Sequence, residues 1–306
     1  MSLKALQFQI HVKQEEDILL PAFSGSMLRG AFGHSLRKIA CITRMPDCNL
    51  CPLKHNCSYI RIFETEKLFD DISQYGQAQN PYALQVAHLS NQKIEKGQHW
   101  SFSMTLVGKA IDDLPIVMFA WQKALERGLT HQRIMCTLVK ISQGDATLYD
   151  PLINKFFPAY ISEFNPVQTI QAKRLRLIFE SPVRLKHDGQ YILEGSKLHP
   201  QQVLLRLYQR IQNYCRQHGE VMPIEFEQLK PALDQMQGQA IELNKNQIIR
   251  FSNRQKQQIQ LQGLVGTYEL SGYLDPWLPL LEFGQTIHLG KNATHGLGQY
   301  KIEQVC

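Results

Sequence analysis

No apolar run in this sequence approaches the ~20 residues that a membrane-spanning helix needs. The opening stretch, Met1 to His11, alternates like a strand and lacks the apolar core and cleavage site of a secretory signal. There is no Gly-Lys-Ser/Thr ending of the kind that closes a nucleotide-hydrolysing phosphate loop. Cysteine is sparse outside one segment: of seven in the chain, four are Cys41, Cys48, Cys51 and Cys57. These gaps argue against a spanning helix, a secreted disulfide framework and Walker-type hydrolysis. A reducing, cytoplasmic setting is the default expectation, and there clustered thiols read as metal ligands before they read as disulfides.

What is present is a chain of 306 residues, 43% hydrophobic and 20% charged, long enough for two ordinary domains. Its formal net charge of +6 favours an acidic partner such as RNA or DNA without requiring one. Basic residues gather at Arg37-Lys38, Lys173 to Arg176 and Arg250 to Lys256. Each such group read alone is better read as solvated surface than as a binding site.

The patterning divides the chain into two similar halves. In the first, a strand at Lys4 to Val12 is followed by a helix at Ser26 to Cys41, a strand at Trp100 to Val107, a helix at Leu114 to Arg127 and a strand at Arg133 to Ile141. The Asn/Gln/Pro-rich stretch Cys48 to Gln98 is expected to hold hairpin strands and insertions. In the second, a strand at Arg174 to Phe179 leads to a helix at Pro200 to Arg216. Strands at Gln247 to Phe251 and Gln258 to Leu270, a short helix at Pro276 to Phe283 and a strand at Gln299 to Gln304 follow. The order strand, helix, strands, helix, strand is that of an α+β, ferredoxin-like (RRM-like) domain, here twice in tandem. The expected domains are 1–165, with the cysteine-rich insertion at 41–57, and 171–306, with a glycine-rich loop at 290–298. The linker is placed near Ser162 to Gln171.

At 100° per residue, Leu28, Phe32, Leu36 and Ile39 form one apolar stripe on the first helix, with Gly30, His34, Arg37, Lys38 and Cys41 on the other side. His34 and Lys38 are four residues apart and therefore neighbours. An imidazole beside cations and a small glycine surface suits RNA strand scission. A neutral imidazole accepts a 2′-hydroxyl proton, and a cation stabilises charge on the phosphate oxygens. The competing reading is that His34 caps or packs against the sheet.

The spacing Cys41-x6-Cys48-x2-Cys51-x5-Cys57 contains a Cys-x2-Cys knuckle with two flanking thiols, although its outer spacings are not those of a common zinc finger. A structural zinc is the first expectation, with His55 able to replace one thiol. An iron–sulfur cluster is the less favoured metal, and reduced thiols with no metal are the competing reading. Four protein ligands would leave no open position for catalysis. Near the other end, Gly290-Lys-Asn-Ala-Thr-His-Gly-Leu-Gly298 exposes backbone N–H groups beside Lys291. With Arg250, Arg254 and Lys256 it would form a basic surface for an RNA backbone. His295 is a substrate-contact candidate and a reserve catalytic one. Phe23, Phe32 and Tyr300 are candidates for stacking on bases, although most aromatics belong in the core.

Taken together, Leu20 to Lys38, Cys48-x2-Cys51-Pro-Leu, Arg250 to Lys256, Gly263-Leu-Val-Gly266 and the terminal glycine loop resemble the CRISPR-associated endoribonucleases of the RAMP superfamily that process precursor CRISPR RNA. The resemblance implies two ferredoxin-like domains that bind repeat RNA along or between them. It also implies cleavage by the 2′-hydroxyl without a catalytic cofactor, giving a 5′-hydroxyl and a cyclic phosphate. His34 stands where the family commonly has its catalytic histidine, and Lys38, Arg29 or Arg37 would stabilise charge. CRISPR repeat RNA is the implied partner, with CRISPR effector subunits as further partners and no membrane. The glycine loop departs from the family's usual form, with Asn292 replacing a frequent glycine and His295 a common aromatic. A non-catalytic RNA-binding subunit of an effector complex is the alternative.

Overall fold

The computed structural model describes residues 2–69, 78–167, 172–252 and 257–305. It divides into one unit spanning Lys4–Ser162 and a second that runs from Glu163 onward and takes in Leu3. Leu3 joins the second unit through its carbonyl, which accepts a hydrogen bond from the Phe164 N–H at 2.7 Å.

The first unit is laid out from β1 (Lys4–Gln14) and α1 (Ser24–Ala40). A short α2 (Ser58–Phe63), β2 (Tyr82–Gln85) and β3 (His99–Val107) follow. α3 (Leu114–Glu126), β4 (Cys136–Gln143), β5 (Ala146–Asp150) and β6 (Lys155–Phe156) complete it. The main path of its sheet runs β2-β3-β1-β4-β5-β6 with antiparallel neighbours throughout. The first four strands in that order are the ferredoxin-like arrangement. Alternation in β1 sends Leu6, Phe8, Ile10 and Val12 to one face. There they meet Leu28, Phe32 and Leu36 of α1 and Trp121 of α3 in one apolar core. Phe32 stacks on Trp121 at 4.8 Å between ring centroids, and the Trp121 indole N–H points to the Met104 sulfur at 3.1 Å. Packing α1 and α3 on the same face of the sheet turns the polar side of α1 outward.

The second unit repeats the arrangement with β7 (Arg174–Val183), α4 (Pro200–His218), α5 (Phe226–Leu233), β8 (Gln237–Ser252), β9 (Gln257–Ser271), α6 (Leu278–Ile287) and β10 (Tyr300–Gln304). Its antiparallel sheet runs β8-β9-β7-β10. The patterning placed the start of β8 ten residues late. Residues 237–246 are mostly polar and exposed, with Leu243 buried. Their strand form comes from pairing with β9, from Gln237↔Ser271 to Asn246↔Gly263 with a register shift between Ala240 and Glu242. The stretch 48–98 holds fewer strands than expected. It consists mainly of short turns and α2 before β2, with residues 70–77 outside the described set. No helix among the described residues is long and apolar enough to cross a membrane.

Candidate active site

The apolar stripe of α1 is buried as its periodicity requires: Leu28, Phe32 and Leu36 are fully covered, and Ile39 is partly so. Gly30, His34 and Lys38 follow one another at four-residue intervals and are all exposed. A Cβ at Gly30 would meet nothing within 4 Å, so the surface beside His34 is open.

The His34 pKa lies below the ordinary 6.5, first because neighbouring residues strip part of its hydration, then because of the positive charges of Arg127, Lys38, Arg133 and Arg37. The imidazole is therefore neutral at pH 7 and free to accept a proton. Arg127 and Arg133 are ninety or more residues away in sequence, and nothing in the pattern linked them to His34. Arg127 is the C-cap of α3, with its Nη1 buried and without a hydrogen-bond partner among the described residues. The chain then turns through Gly128 at φ +85°, where a Cβ would lie 2.1 Å from the Arg133 carbonyl oxygen. The turn is pinned by reciprocal hydrogen bonds between Leu129 and Ile134 at 2.8 and 2.9 Å. Arg133, itself left-handed at φ 56°, is exposed at its end. Among the described residues no carboxylate forms an ion pair with Lys38, Arg127 or Arg133.

Two cations singled out from the sequence have other work. The Arg29 guanidinium lies over the Phe63 ring, 4.2 Å from its centroid, with its Nε buried. Arg37 donates to the carbonyls of Met45 at 3.1 Å and Pro46 at 3.2 Å, and sits 5.7 Å from the Tyr59 ring centroid. Both fasten the segment after α1 back onto that helix. Gly33 completes the fastening: a Cβ there would come within 2.2 Å of Phe63, so α2 can approach α1 only because the position is glycine. Arg29 and Arg37 thus act as structural clamps in the free chain.

The segment after α1 carries the four clustered cysteines in separate contacts. Cys41 ends α1, Cys48 is buried, Cys51 Sγ lies 3.4 Å from Thr43 Oγ1, and Cys57 packs at the core edge. Burial and the Glu64 carboxylate push the Cys48 thiol pKa up. Among the described residues no three His, Cys, Asp or Glu side chains converge to hold an ion. The next stretch is anchored by Asp113, which takes an ion pair from Arg61 at 2.7 Å and a hydrogen bond from Ser58 at 2.8 Å.

In the second unit the glycine loop is embedded and supported by arginine. Arg210 on α4 donates to the carbonyls of Ile287 at 3.0 Å and Gly290 at 3.3 Å, and to Tyr214 Oη at 3.1 Å. Arg184 lies 4.3 Å from the Tyr191 ring centroid and donates to the Gln262 carbonyl at 3.0 Å and to Asn292 Oδ1. Asn292 adopts the left-handed conformation at φ 70°, which asparagine tolerates better than most residues; it fills the place of the missing glycine and gives Arg184 an acceptor. His295, expected as a substrate contact and reserve catalyst, is only 6% exposed, because the loop folds its short helical turn inward. Lys291 is exposed and Arg250 half-buried, while Arg254 and Lys256 lie outside the described residues. Phe32 and Tyr300 are core residues, not stacking platforms. His288, which the pattern did not mark, is fully buried at φ 65° with Nδ1 3.2 Å from the Leu297 carbonyl oxygen, and burial lowers its pKa to about 3.

Two family models match the chain. Residues 3–156 match an N-terminal domain family (AF_1859_N), and residues 177–300 match the CRISPR-associated endoribonuclease Cas6. No curated protein of similar sequence matches. Among solved structures, a Cas6 product complex is 16% identical at TM-score 0.55, covering 98% of this chain and 100% of that one. Thermus thermophilus Cas6 is 9% identical at TM-score 0.57, covering 99% and 100%. A partial Cas6-RT-Cas1–Cas2 complex is 14% identical at TM-score 0.60 over 99% of this chain, which spans 46% of that longer one. At these identities the structural likeness is one of fold.

Proposed function

We propose that this chain, whose residues 177–300 match the CRISPR-associated endoribonuclease Cas6 family model, cuts precursor CRISPR RNA within the repeat through His34. The observation that carries the reading is an exposed, neutral imidazole beside cations that no described carboxylate neutralises. His34 takes the proton of a ribose 2′-hydroxyl as its oxygen attacks the adjacent phosphorus. The bond from phosphorus to the 5′-oxygen breaks, that oxygen takes a proton from solvent as it leaves, and the His34 imidazolium returns its proton to solvent. The upstream product ends in a 2′,3′-cyclic phosphate and the downstream guide RNA begins with a 5′-hydroxyl. Lys38, one turn along α1, stabilises the charge that gathers on the phosphate oxygens. Lys291 and Arg250 supply contacts to the RNA backbone away from the cut.

The test is cleavage of a labelled repeat RNA in EDTA by wild type and His34→Ala. A discrete product with a cyclic phosphate, lost in the variant while binding persists, supports the assignment. Binding without any product from wild type would reassign the chain as a non-catalytic RNA-binding RAMP subunit. Cutting by His34→Ala at the wild-type rate would leave the ribonuclease and remove its catalyst.

A further inference from the structure

Between β7 and α4 the chain builds a small hairpin that the sequence pattern did not mark. Its strands are Lys186–His187 and Gln190–Tyr191, joined by Asp188-Gly189. Both turn residues are left-handed, at φ 47° and 79°, as a two-residue Asp-Gly hairpin turn requires. At the base the Ile192 N–H donates to the Leu185 carbonyl at 3.0 Å, and both side chains are buried. The preceding residue, Arg184, ties the hairpin to the glycine loop. Its carbonyl accepts from the Lys291 N–H at 3.2 Å, and its guanidinium donates to Asn292.

Three cations meet on this hairpin. Arg184 Cζ and Lys186 Nζ lie 4.3 and 4.8 Å from the centroid of one ring, that of Tyr191. Arg206, exposed on α4, donates to the Lys186 carbonyl at 3.2 Å and to Gln209 Oε1 at 2.9 Å. Among the described residues no carboxylate pairs with Arg184, Lys186 or Arg206. Asp188 lies 3.5 Å from His187 at the turn, and Glu194 pairs with Lys197 at 2.7 Å. Carbonyls, amides and a ring satisfy the donors of a cation but leave its charge uncompensated. Arg184 is buried and serves the loop, whereas Lys186 is half-buried and Arg206 exposed.

Resting on the ribonuclease reading, we propose that Lys186 and Arg206, steadied by Tyr191 and continued by Lys291, form a binding surface for the phosphate backbone of the substrate RNA. The Tyr191 ring holds the Lys186 head, which lowers the entropy cost of using a lysine. Continuity with the Lys291 loop favours RNA over an acidic protein as the occupant. The surface contains no residue of the chemistry, so its loss acts on binding and not on bond cleavage.

The experiment uses the full chain with Lys186→Gln, Arg206→Gln and the double variant. Binding of labelled repeat RNA is measured in the His34→Ala background. Each single variant should weaken binding about 3- to 10-fold at about 0.15 M salt. The double variant should lower the slope of log Kd against log salt by about 1 to 2, a readout that a merely structural role would not move. With His34 intact, single-turnover cleavage at saturating RNA should stay within about twofold, and the melting temperature should hold. Wild-type affinity and slope in the double variant would overturn the surface and leave the ribonuclease standing. So would weaker binding with an unchanged slope. Lost polyglutamate binding with RNA affinity unmoved would assign the surface to an acidic protein and overturn the RNA assignment. If wild type neither binds nor cuts repeat RNA, the ribonuclease reading falls, and NMR of the Tyr191 ring during titration with inorganic pyrophosphate decides the surface. Shifts in wild type that vanish in the double variant support it, and unshifted wild-type resonances overturn it.

Discussion

The α1–α3 face of the first unit and the glycine loop of the second are built from the same residue types and use them in opposite ways. Around His34 the imidazole is exposed, and Lys38, Arg127 and Arg133 have no carboxylate partner among the described residues. Around the glycine loop His288 and His295 are buried, and Arg184 and Arg210 spend their donors on backbone carbonyls, a tyrosine hydroxyl and Asn292. A buried guanidinium must find acceptors or cost several kcal/mol, so arginine inside a fold becomes architecture. The same group at a surface, held by a rigid turn and left uncompensated, is available to a ligand.

The largest effect that would break this contrast is on chemistry. His34→Ala should lower single-turnover cleavage by roughly 10²- to 10⁴-fold, with RNA binding kept. His295→Ala should leave the chemical step of folded protein unchanged; a comparable loss from it would move the active site to the second unit. Next comes stability. Arg210→Met strands two loop carbonyls and should cost about 2–4 kcal/mol in urea unfolding. Arg133→Ala, exposed, should stay within about 0.5 kcal/mol.

The two histidine environments also separate by pH. His288 has a folded pKa of about 3 against 6.5 unfolded. Its contribution to stability is complete above 6.5 and is lost as pH falls toward 3, because the unfolded chain takes up the proton first. Unfolding measured between pH 7 and pH 4 should show a decline that His288→Asn flattens. Cleavage instead should rise with pH through the His34 pKa, with a midpoint below the ordinary histidine value. The smallest expected effect concerns the cysteines. Dialysis against a chelator should leave the melting temperature and cleavage unchanged, and stoichiometric zinc in elemental analysis would show that Cys41, Cys48, Cys51 and Cys57 converge after all.

Much of the fold was legible because its signals are local. Alternation marked β1, a 3.6-residue period marked α1 and the face carrying His34, and the element order pointed to two ferredoxin-like units. Polar Gln237 to Asn246 carried no such signal, since pairing with β9 made it a strand. Arg29 and Arg37 looked identical to active-site cations in sequence. Only the positions of Phe63, Met45 and Pro46 show that they are occupied.

The sequence alone determined what depends on near neighbours along the chain: most strands and helices, and the outward line Gly30, His34 and Lys38. Tertiary structure decided what depends on distant residues meeting. It brought the charges of Arg127 and Arg133 to bear on His34, folded His295 inward, and distributed the four cysteines among separate contacts. Hydrogen-bond satisfaction and electrostatic shielding are properties of three-dimensional neighbours, and a one-dimensional pattern does not contain them.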